Sequence, residues 1–217
     1  MSIKPWFYRL SAFVLTILLS LTIFSFPANA FVKTDYIHLK ATNECNGCDL
    51  SGADLSGADL YGSALVEADL SGANLSQALL KDADLRGANL TGANLSQAIL
   101  IGITLSEANL TEAHLSNAKL RNALMNKAIL SKADLRGADL EHAIGSDADL
   151  SNAMAQEAKF NKAILSRANL SGADFSNANM RNTKLEDANL KETKLRGADL
   201  YRAVMPNHTI YNDDVSE

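Results

Sequence analysis

The sequence predicts an all-β solenoid, a four-sided coil of about eight turns behind a short N-terminal helical cap, and three observations carry that prediction. A large apolar residue recurs every fifth position from Leu50 to Met205 without an insertion: of 32 positions, 25 are Leu, 3 Met and 2 Phe, with Gly145 and Ala155 as exceptions. Two residues before each, 27 of 32 positions are Ala; Cys48, Ser63, Ile103, Thr183 and Thr193 are the others. Proline is absent from Leu50 to Met205, as an inter-coil ladder of backbone donors requires.

Neither common element accommodates the period. Five residues of helix advance about 500°, which scatters the leucines around the cylinder. In a strand an odd spacing puts successive leucines on opposite faces. All of them point inward only if the chain turns by a similar angle every five residues. Four sides per coil bring residues 20 apart into register at the roughly 4.8 Å spacing of strands. Asn, Asp, Ser and Gly, frequent between the apolar residues, suit the corners.

Residues 1–30 read as a cleaved Sec signal: Lys4 and Arg9, an apolar run from Leu10 to Phe26, then Ala28 and Ala30 one and three positions before the expected cut. Residues 31–47 read as an N-terminal cap, 48–205 as the repeat and 206–217 as a C-terminal cap and tail beginning where Pro206 stops the register. Within the cap, Thr34 suits the start of a short helix over residues 35–41 that lays Tyr36, Ile37 and Leu39 on the core. No membrane association is expected once the signal is removed.

Charge is uneven along the chain. Phe31 to Ala118 holds 4 basic and 11 acidic residues, whereas Lys119 to Met205 holds 14 basic and 11 acidic. The full chain carries -5, which does not suggest a nucleic-acid ligand.

The motif A(D/N)LXX over residues 48–205 resembles the pentapeptide repeat family, and "CNGCDLSGADL" after a Sec signal is similar to its exported cyanobacterial members. The resemblance implies a right-handed quadrilateral β-helix and a periplasmic or thylakoid-lumen location. Residues 20 apart then form outward columns. Glu107, Lys127, Asp147, Arg167 and Asp187 alternate in sign, as do Lys119, Asp139 and Lys159; Gln77, Gln97 and Asn117 suit an amide ladder, and Ser56, Ser76, Ser96 and Ser116 a hydroxyl ladder.

The departures from the pattern are the candidate sites. Leu124, Ile144 and Ile164 make the usually polar position apolar down one column, an expected interaction stripe, and Leu79 and Ile99 form a second pair. Gly145 and Ala155 leave one coil short of bulk, with Phe160 and Phe175 close enough to compensate. Cys45 and Cys48 are the only cysteines and are expected to pair in an exported protein.

No catalytic, cofactor or metal site is expected. An aliphatic interior offers no convergent titratable groups, and His38, His114, His142 and His208 are scattered without a matched acid or nucleophile. The expected function is a non-enzymatic scaffold that presents side-chain ladders on a rigid rod and binds an unidentified protein partner, homodimerisation being one form of this. Two alternatives stand beside it. One is DNA mimicry of the kind that inhibits gyrase, disfavoured by export and by the C-terminal half; the other is a redox-responsive lumenal regulator acting through Cys45 and Cys48.

Overall fold

The computed structural model describes residues 33–212. The expected signal segment lies outside them. Helix α1, Lys33–Thr42, has Asp35 in its first turn and Lys40 in its last, each favourable to the helix dipole. Thr34 lies inside the helix rather than capping it.

From Glu44 onward the chain repeats one local unit. Leu50 to Ala53 illustrates it: the Ala53 N–H donates to Leu50 O at 3.0 Å across Ser51 and Gly52, and Gly52 adopts φ +67°. A positive φ recurs at this turn position in every pentapeptide from Gly47 to Arg202, which explains the glycines there. Side chains at the same place, such as Glu157 with φ +61°, bear a backbone cost of about 1 kcal/mol. Between turns, one residue per pentapeptide bridges in parallel to the residue 20 further on, from Glu44↔Ala64 to Lys184↔Val204. Twenty residues therefore form a tier, and each tier lies in register on the next.

This arrangement accounts for four of the five backbone donors of a pentapeptide. Leu50 N–H donates to Asp69 O at 2.7 Å, Gly52 to Ser71 O at 2.8 Å, Ala53 within its own turn, and Asp69 back to Cys48 O at 2.8 Å. The leucine and the small residue two before it point inward and are almost wholly buried except towards the two ends, where Cys48, Leu190, Thr193, Leu195 and Met205 are partly exposed. Each enclosed Leu contributes on the order of 2 kcal/mol, so the interior dominates stability.

The predicted class requires correction. Among the described residues no β-strand forms and α1 is the single helix, so neither the all-β class nor a right-handed quadrilateral β-helix describes the chain. The bridges are isolated, one residue long. A strand needs a run of extended residues, whereas here two of every five are turn residues, one with φ near +60°. The register is held by turns and single bridges.

Both ends are closed. Leu39 of α1 is buried on the first tier with Tyr36 packed beside it. Asp35 Oδ2 accepts the Asp49 N–H at 2.9 Å, standing in for the carbonyl that an earlier tier would supply. At the other end the Pro206 carbonyl accepts the Asp187 N–H at 3.2 Å. The chain then folds back with an antiparallel bridge between Val204 and Ile210.

Candidate interaction surface

The residue before each leucine carries the outward chemistry. Where it is Asp or Asn, its Oδ1 accepts the fifth backbone donor, two residues on: Ser51 to Asp49 at 3.0 Å, Thr111 to Asn109 at 3.0 Å and Ser151 to Asp149 at 2.9 Å. This is an Asx turn, and it completes the backbone accounting. The same residues also bond between tiers: Asn74 to Asp54 at 3.1 Å, Asn94 to Asn74 at 3.3 Å, Asn169 to Asp149 at 3.0 Å and Asn189 to Asn169 at 3.0 Å.

The ladders expected elsewhere do not form. Among the described residues no hydrogen bond joins Gln77, Gln97 and Asn117, or Ser56, Ser76, Ser96 and Ser116. Those side chains sit on the turns, where neighbouring tiers are bonded through the backbone.

An aliphatic residue at the bridge position gives up the Asx turn. Leu124, Ile144 and Ile164 do so in one column, joined by successive bridges, and Leu79 and Ile99 do so in another. Asn126 Oδ1 takes over for the Ser146 N–H at 3.1 Å, but no such replacement reaches Ser166 in the described residues. Leu124 and Leu79 are 38% and 39% exposed, while Ile99, Ile144 and Ile164 are half-buried. Two further substitutions of this kind, Ile129 at 41% and Met154 at 39% exposed, are as open as the stripe itself. Their signal is plain in the repeat, because they occupy the same pentapeptide position; they were missed because they lie in other columns.

Charges flank the Leu124 column. Lys127 meets Glu107 at 3.6 Å and Arg167 meets Asp147 at 2.7 Å, so the expected alternation forms two pairs. The hydrogen bond from Arg167 lowers the Asp147 pKa below its ordinary value, and the positive charges of Arg167 and Lys127 add to this. On the other flank Arg121 binds both Asp139 at 2.6 Å and Glu141 at 3.1 Å. Lys119 and Lys159 make no ion pair with Asp139, whose carboxylate is held by Arg121.

The remaining candidates are structural in placement. Gly145 and Ala155 are buried in one tier; Phe160 closes that tier, and Phe175 stacks on Ala155 from the next, the two rings meeting edge to face at 5.2 Å. Cys45 and Cys48 form a disulfide with Cα atoms 5.3 Å apart. Cys45 occupies a leucine slot one pentapeptide before Leu50, and Cys48 the following alanine slot. The bond therefore spans the turn that every repeat makes, with the Cys48 N–H on Cys45 O at 3.3 Å. His38, His114, His142 and His208 are all exposed, and no group of three metal-ligating side chains occurs among the described residues.

Residues 44–126 and 128–205 match the family model described as pentapeptide repeats. No curated protein matches the chain. Among solved structures, a trypsin-treated form of QnrB1, a plasmid-mediated fluoroquinolone resistance protein, is 26% identical, covering 71% of this chain and 79% of its own, with TM-score 0.55. HetL, involved in heterocyst differentiation regulation in the cyanobacterium Nostoc sp. strain PCC 7120, is 28% identical over 84% of this chain and 100% of its own, with TM-score 0.47. A protein of the Arabidopsis thaliana thylakoid lumen is 32% identical over 54% of this chain and 68% of its own, with TM-score 0.34.

Proposed function

Because the chain belongs to the pentapeptide repeat family and is not an enzyme, we propose that it acts by binding another protein through the aliphatic column Leu124, Ile144 and Ile164. The observation that carries this is the surrendered turn bond. Leu124 and Ile164 each give up an Asx hydrogen bond worth about 1 kcal/mol with no replacement among the described residues, at Ile144 Asn126 supplies one, and the column leaves apolar surface open to water, a local cost that a bound partner offsets. In the neighbouring columns Asp139, Asp149 and Asn169 keep the Asx turn at the same tiers.

This replaces the rigid rod displaying ladders. The register rests on turns and isolated bridges, and the amide and hydroxyl ladders are absent among the described residues. Neither alternative is carried forward. In the C-terminal half, cations answer the acids in pairs such as Arg136–Asp134 and Arg181–Asp199, unlike the uniform negative charge of duplex DNA. The turn closed by Cys45 and Cys48 is the one that other repeats make without a disulfide.

Binding takes place after Sec export, in the periplasm or thylakoid lumen. The reading rests on Lys4, Arg9, the apolar run and the small residues before Phe31, and the disulfide supports an oxidising compartment. Among the described residues no helix is long and apolar enough to cross a membrane.

A photo-reactive residue at position 144, compared with one at Asn94 in another column, tests the proposal in the native compartment. Crosslinks to protein from position 144 alone are expected. Equal or absent crosslinking at both positions overturns it.

A further inference from the structure

We infer that the partner on the Leu124 column is a second copy of this chain, lying antiparallel about a two-fold axis between the tiers of Leu124 and Ile144; this rests on the function proposed above. Such an axis lies in the interface, reverses the order of the tiers and sets each flank against itself. Down the column Leu124 meets the copy's Ile144, Ile164 meets Thr104, Asp84 meets Lys184 and Ala64 meets Val204. Apolar side chains face apolar or small ones, and the charged pair is of opposite sign.

The flank beside the column obeys the same symmetry. Glu107 meets the copy's Arg167 and Lys127 meets its Asp147, so the pairs already formed within one chain become four-charge clusters across the interface. On the other flank Arg121 meets Glu141. One like-charged pair arises, Lys81 with Arg181, near the edge; Arg181 is held by Asp199 at 3.0 Å and Lys81 lies near Asp82 at 3.9 Å.

The charge of the facing segments as a whole favours the same orientation. Residues 63–118, with 2 basic and 6 acidic residues, fall on the copy's residues 150–205, with 9 basic and 6 acidic. A parallel pair would put like halves together and set Lys127 against Arg121 and Asp147 against Glu141, pairs of like sign.

Sedimentation equilibrium of the purified protein tests this, with thermal unfolding of each variant as a folding control. A concentration-dependent dimer is expected. Ile144→Lys should make it monomeric, and Lys127→Glu or Asp147→Lys alone should weaken dimerisation about tenfold. Combining those two should restore it to within about threefold of the parent. Within one chain the combination puts like charges beside Glu107 and Arg167, so recovery reports contact between chains. A monomer at all concentrations up to about 100 μM, or single swaps that do not weaken the dimer, overturns the inference. If the protein is monomeric while position 144 still crosslinks a different protein, this inference falls and the proposed function stands. If it is monomeric and position 144 crosslinks nothing, both fall.

Discussion

Ser51 donates its backbone N–H to Asp49 Oδ1 at 3.0 Å, which satisfies the donor that the stacked register leaves over in that pentapeptide. Ile129 breaks the same relationship for Ser131. It lies between Asn109 and Asp149 in its column, so Ile129→Asn would restore the Asx turn and extend the inter-tier amide bonds. The variant should be more stable by about 0.5–1.5 kcal/mol in urea unfolding. The converse, Asp149→Ala, removes acceptors for Ser151 and Asn169 and should cost about 1–2 kcal/mol.

The interior was legible because burial is written in residue type: leucine and alanine at fixed positions declare an inside, and Leu50 to Leu185 obey. The secondary-structure class was not, because a single bridge residue between turns and one residue of a strand have the same composition. The outward columns were read by compatible chemistry rather than by reach. Glu107 and Lys127 reach one another, while Gln77 and Gln97, at the same turn position, do not. Cys45 escaped the repeat count because its slot is defined by burial, which cysteine satisfies as well as leucine.

Ser63 occupies an alanine slot, fully buried, and its Oγ has no hydrogen-bond partner. Thr183 and Thr193, in equivalent slots, donate to Phe160 O and Leu170 O, each at 2.8 Å. Ser63→Ala should therefore stabilise the protein by about 1 kcal/mol or more, while Thr183→Val should destabilise it by about 1 kcal/mol. Thermal unfolding of the two variants checks the opposite signs; a loss of stability in both would refute the distinction.

Ala155 and Phe175 share an interior column, and bulk at one answers its lack at the other. Ala155→Leu alone overfills the space beside Phe175 and should cost about 1–3 kcal/mol. Adding Phe175→Leu returns both positions to the common residue and should recover part of that cost. A double-mutant cycle measures the coupling, expected at 0.5 kcal/mol or more by the usual behaviour of contacting residues, about the threshold at which additivity fails.

Asp134 is held by Arg136 through two guanidinium bonds of 2.8 and 2.7 Å and a backbone bond of 3.2 Å. The guanidinium bond is the main reason that the Asp134 carboxyl titrates below its ordinary value; burial opposes it, and the backbone N–H, the charge of Arg136 and His114 reinforce it. Asp84 with Arg86 and Asp147 with Arg167 are lowered in the same direction. A carboxylate with a depressed folded pKa contributes stability that is present above its unfolded value, about 3.9, and is lost as pH falls through the folded value. Stability against urea should therefore hold from pH 7 down to about pH 5 as far as these groups are concerned, and decline below about pH 4. Arg136→Gln removes the main cause at Asp134 and should make the acid limb shallower while lowering stability at pH 7. An acid limb unchanged from the parent would show that the Asp134–Arg136 contact does not govern it.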